Sequence, residues 1–146
     1  MCRRDRVDAR AGREVDRDSQ TTAAKAGVVP LLAPLVGSGS THQRMMAANT
    51  LLILCFKHAD NAALVGESPA VEVAVANVLA PPSHGPLETA RLALLANDDE
   101  LVRQICVGML SNVAAFSESS HARLLDSGAG EMAVAVLREL PNAEAL

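Results

Sequence analysis

Cys55 and His58 stand three residues apart in an apolar run, a spacing that puts a thiol and an imidazole on one side of a helix. A thiolate beside a base is the start of a nucleophilic site, but such a site also needs an orienting acid and an oxyanion hole. The neighbouring residues offer neither. The other histidines, His42, His84 and His121, are isolated at helix starts or in loops, and no Cys or His reaches metal-site spacing. Asp98-Asp99-Glu100 is an acidic triplet at a helix start, where carboxylates favour the positive end of the helix dipole. Gly37-Ser38-Gly39-Ser40 lacks the Lys that a nucleotide-binding loop requires. These patterns imply no catalytic residues, no metal and no cofactor, and the expected role is non-enzymatic.

Polar side chains on long helices are the remaining candidates, and composition fixes what surrounds them. The chain has 146 residues, 49% of them hydrophobic, with two Phe and no Trp or Tyr. Its core must therefore come from Leu, Val, Ile, Met and Ala, and the Ala and Leu content favours helix. Only Val71–Val75 alternates over strand length, and that run is equally compatible with helix. The expected class is all-α. The net charge of −4 is spread thinly, without the clustered Lys and Arg of a nucleic-acid surface. No run reaches the roughly 18 apolar residues of a membrane span. Three cysteines without close spacing fit a reducing compartment. With no apolar N-terminal run and five acidic residues among the first 18, an intracellular setting is expected, cytoplasmic or nuclear.

Along the chain, residues 1–19 read as a disordered or solvated charged tail, and residues 20–141 as one helical domain. A short helix over 20–26 should end at Gly27, and Val28–Val36 should form a second helix, kinked or shortened at Pro34. Ser40 and Gln43 have capping-box spacing for a helix to about His58, with Met45, Ala48, Leu51, Leu52, Cys55 and Phe56 as its core stripe. Asp60 is expected to cap a short helix ending at Gly66, and Ser68-Pro69 to open a helix to about Ala80. A proline-rich break at 81–86 precedes a helix at Leu87–Ala96. The long helix Asp99–Phe116 follows, capped at Asn97, with Leu101, Val102, Ile105, Cys106, Met109, Leu110 and Val113 as its apolar face. Ser117 should cap a short helix ending near Gly128, and Gly130–Leu140 should stop at Pro141.

These segments repeat. Lys25–Leu32 lines up with Leu64–Val71 at an offset of 39, and the register of short helix, glycine, helix recurs after Ser117. A period near 40 built from two or three helices is the signature of an α-solenoid. On Ala24–Val36 (AKAGVVPLLAPLV), Leu110–Ala114 (LSNVA) and Ala122–Gly128 (ARLLDSG), the chain resembles the armadillo-repeat family over about residues 20–140. The resemblance implies an armadillo-like α-α superhelix, a short right-handed solenoid of about two to three repeats. Its long helices would line a surface that binds an extended segment of a partner protein.

By that resemblance Asn112 would contact the peptide backbone, its carboxamide offering both donor and acceptor. Gln104, Gly108 and Ser111 share its small or polar stripe, and Asn49 and Ile53 belong to the matching, more apolar stripe of the first unit. Ile53 stands where the family's Asn is expected. Gly108 and Asn49 stand where some peptide-carrying members have an aromatic residue. The stretch 80–97 is longer than a standard connection. The alternative expectation is a fragment or terminal capping piece of a longer solenoid, with exposed repeat ends that could self-associate.

Overall fold

Two glycines turn the chain at corners that no other residue adopts without strain. Gly27 (φ +85°) and Gly128 (φ +90°) each end a short helix and start the next one. The computed structural model describes residues 16–80 and 98–139. Every regular element among them is helical. The order is α1 (Arg17–Lys25), α2 (Val28–Leu32), a 3-10 turn (Ala33–Val36), α3 (Thr41–Cys55), α4 (Ala59–Glu67), α5 (Ala70–Leu79), α6 (Asp98–Phe116), a 3-10 turn (Glu118–Ser120), α7 (His121–Asp126) and α8 (Ala129–Glu139). The expected helix at Leu87–Ala96, the Asn97 cap, the Pro141 stop and the tail before Asp16 lie outside the described residues.

Much of the local chemistry follows expectation. Pro34 has no N–H to donate, and the α2 helix tightens into a 3-10 turn there. Ser40 and Gln43 form the full capping box on α3, with the Gln43 N–H donating to Ser40 Oγ and the Ser40 N–H to Gln43 Oε1 (3.2 and 2.9 Å). Val71–Val75 is helical, inside α5. The first helix starts at Arg17 rather than near residue 20, because Asp16 caps it by accepting the Asp18 N–H.

The elements fall into three successive units of short helix, second helix and long helix, the third represented by α7 and α8. Counterparts pack on one another. Short helices α1, α4 and α7 touch in sequence; the second helices do so through the first 3-10 turn, α5 and α8; and the long helices α3 and α6 share the most extensive contact. This is the nearest-neighbour packing of a helical repeat. Its core is aliphatic: Val36, Leu51, Val65, Val71, Val102, Met109 and Val113 are all essentially inaccessible to solvent. Ala48, Leu51 and Cys55 of the anticipated α3 stripe are buried, as are Val102, Cys106, Met109, Leu110 and Val113 of α6. Phe56 and Leu101 emerge instead as exposed.

The side chains that join the units close helix C-termini. The last four carbonyls of a helix have no partner within it. At the end of α3, Asn112 of α6 donates to Leu52 O (2.9 Å), Gln20 of α1 donates to Ile53 O and Phe56 O (2.8 and 3.0 Å), and Asn61 of α4 donates to Leu54 O (3.1 Å). The second Asn61 amide hydrogen goes to Gln20 O (3.0 Å). Elsewhere Asn77 donates to Val36 O, Arg103 to Val78 O and Arg123 to Gly66 O (2.9, 3.0 and 2.6 Å). Arg103 and Arg123 also pair with Glu139 and Glu72 (2.5 and 2.7 Å), tying α6 to α8 and α7 to α5.

Two expectations are corrected at α4. Its cap is His58 rather than Asp60: with an extended backbone, His58 accepts the Asn61 N–H at Nδ1 (3.2 Å), while Asp60 lies exposed in the first turn. Gly66 does not end the helix. It stays helical and buried, and the corner falls at Ser68-Pro69, so Gly27 and Gly66 are not structural counterparts despite their sequence alignment. Gly66 instead admits the next unit, since a β-carbon there would lie 2.7 Å from Ser120 Cβ. Gly66→Ala is therefore expected to lower the urea midpoint. Overpacking of about 1–3 kcal/mol outweighs a helix-propensity gain of about 1 kcal/mol. The loss should shrink in a Ser120→Gly background, as urea titration of the four chains checks.

Candidate functional site

The α3–α6 seam positions the candidate residues. Gly108, Asn112 and Phe116 recur every fourth residue along α6 and meet Leu52 of α3 and Phe56 just past its end. A β-carbon on Gly108 would stand 2.8 Å from Leu52 Cδ1, so the glycine brings the two helices together rather than opening room for another chain. Asn112 is half-buried with one of its two amide hydrogens given to Leu52 O. At the end of the seam Phe56 and Phe116 meet edge to face, centroids 6.0 Å apart at 84°. Lys57 Nζ lies 5.4 Å from the Phe56 centroid, presented by a left-handed backbone (φ 52°).

Both helices bury one side in the common core, so their opposite sides form one outer face flanking this seam. On α3 that face carries Met46 and Ile53, which are 49% and 42% exposed, and the half-buried Asn49. On α6 it carries Gln104 and Ser111, both exposed; the Ser111 hydroxyl donates back to Val107 O (2.8 Å). The six sequence candidates thus divide. Gln104, Ser111, Asn49 and Ile53 sit on the outer face, whereas Gly108 and Asn112 belong to the seam. The Phe56–Phe116 pair was not singled out from sequence as part of a site. The available signal was that the chain's two aromatic residues stand at the ends of its two long helices.

The residues with possible covalent chemistry are engaged otherwise. His58 Nδ1 accepts from Asn61, which leaves the proton of the neutral ring on Nε2, facing Thr21 Oγ1 at 2.8 Å; that hydroxyl in turn donates to Arg17 O (2.9 Å). Both ring nitrogens are occupied, so neither serves the Cys55 thiol, which points to Asn61 O (4.0 Å). Burial pushes the Cys55 thiol up to about 12 and the Cys106 thiol up to about 11, the nearby Arg44 cation opposing the shift at Cys106. In the acidic triplet, Asp99 lies 3.5 Å from Arg44, and Glu100 pairs with Arg103 one turn on at 3.8 Å. Among the described residues no group of three or more His, Cys, Asp or Glu is placed to hold a metal ion. No single described helix is long and apolar enough to cross a membrane; α4 and α5 reach that length and composition only together, across a 72° bend.

No protein-family model matches the chain, and neither a curated protein nor a solved structure is significantly similar to it.

Raised thiol pKa values carry a definite sign. The folded state disfavours the thiolate, so the protonated thiols' contribution is complete below the ordinary thiol value of 9.0 and is lost as pH rises from there toward about 12. Melting temperature is expected to fall between pH 9 and 11 and to fall less steeply in Cys55→Ala. Thermal scans across that range check it.

Proposed function

We propose that this chain is a non-enzymatic protein-interaction module, an armadillo-like superhelix that receives an extended segment of a partner protein across the outer face of α3 and α6. The observation that carries this reading is the like-on-like packing of short, second and long helices in successive units. In such a stack the long helices present a continuous face, and here that face combines exposed apolar side chains (Met46, Ile53) with polar ones (Gln104, Ser111, Asn49). Apolar groups supply burial and polar groups pair with a peptide backbone. Because the Asn112 amide closes α3, peptide recognition falls to the residues beside the seam, with Asn112 fixing the spacing of the two helices.

A second reading, a terminal or internal piece of a longer solenoid, is favoured by exposed leucines at both ends of the stack. Leu31 is 71% exposed at one end and Leu125 67% at the other.

Peptides selected from a displayed random library against the full chain provide the test. Ile53→Arg and Ser111→Arg replace exposed side chains and should leave helical content intact while weakening the selected peptides at least about tenfold, the scale of a lost interface anchor. Selected peptides that bind both variants as tightly as the unmodified chain would contradict the assignment of the face.

A further inference from the structure

The last helical pair carries a second surface, independent of the outer face of α3 and α6. Leu125 of α7 and Glu131, Val134, Ala135 and Arg138 of α8 border an open groove of about 690 Å³. Val134 and Leu125 are 48% and 67% exposed. An apolar patch of this kind on a helix is a candidate contact surface, and the charges at its two ends identify what fits it. Glu131 and Arg138 lie seven residues apart, two turns along one stripe, with Val134 and Ala135 midway between them. Neither charge has an ion-pair partner among the described residues.

We propose that α8 docks against α8 of a second copy of this chain, antiparallel about a twofold axis between Val134 and Ala135. That symmetry sets Glu131 of one copy against Arg138 of the other, and repeats the pair on the far side of the axis. It places Val134 against Ala135 at the centre, where the small alanine lets the helices approach. It also sets the helix dipoles antiparallel, each N-terminus beside the other copy's C-terminus. The stripe is complementary to itself only in this antiparallel arrangement; a parallel pairing opposes like charges at both ends. One face of an 11-residue helix is small beside the roughly 1,200–2,000 Å² of a standard stable interface, so the dimer is a weak one.

Sedimentation velocity on the full chain tests this, over loading concentrations from about 1 µM to 1 mM, the range in which weak association is read. A monomer–dimer equilibrium is expected, weakening as salt is raised. Glu131→Arg alone and Arg138→Glu alone oppose like charges twice per dimer and should each weaken it at least about tenfold. The double variant Glu131→Arg/Arg138→Glu restores the complementary pairs and should return dimerisation to within about threefold of the unmodified chain. That recovery also shows that the single variants did not fail by misfolding, and circular dichroism at low concentration checks their helical content. Four results would overturn the proposal: a monomer at every concentration, association indifferent to the single variants, a double variant no better than the singles, or growth beyond the dimer. The last would indicate head-to-tail contact with the Leu31 end.

Discussion

A helix leaves its last carbonyls without internal partners, and in a stack of short helices many such ends fall inside the molecule. This chain closes them with side-chain donors from neighbouring elements. The end of α3 is the densest case: Gln20, Asn61 and Asn112, from three different helices, converge on carbonyls between Leu52 and Phe56. Both amide hydrogens of Gln20 and of Asn61 are used, and both residues are buried. A buried carbonyl left without a donor costs about 1–3 kcal/mol, so each contact constrains where its helix can lie. Asn77, Arg103 and Arg123 repeat the device at other helix ends. An aliphatic core supplies the burial, and the donors fix which unit meets which.

This explains what was legible in the sequence and what was not. Signals contained within a few residues were read correctly: the capping box at Ser40 and Gln43, the left-handed corner at Gly27, and the disruption at Pro34. The apolar stripes named most of the buried residues of α3 and α6. The misses involve partners distant in sequence. Gly66 read as a corner because glycine commonly is one, but its use is to admit Ser120, 54 residues on. Asp60 is a better intrinsic cap than His58, yet His58 takes the position because Thr21 holds the other side of its ring. Asn112, which the armadillo resemblance offers to an incoming peptide, gives one amide hydrogen to Leu52 O, a carbonyl whose availability is visible only once α3 is seen to end at Cys55.

The same constraint shapes the surfaces proposed for binding. Polar side chains committed to helix ends are turned inward, and what stays exposed on the long helices is a mixed strip around Ile53 and Ser111. At the far end of the stack α8 has no following unit among the described residues, so Leu125, Val134 and Leu137 remain open. A repeat protein buries each unit with the next one, and surfaces available to partners are those the stacking leaves over: its outer face and its ends.

The closing of α3 by side chains of other helices is tested most directly by native-state hydrogen exchange on Asn61→Ala. That substitution leaves the carbonyl of Leu54 at the end of α3 without its side-chain donor and removes the tie to Gln20 O in α1, a loss of about 1–3 kcal/mol. Protection should fall together in α1, in the last turn of α3 and in the first turn of α4, three segments distant in sequence and joined at this point. A loss confined to α4, with α1 and the end of α3 exchanging as before, would contradict the account.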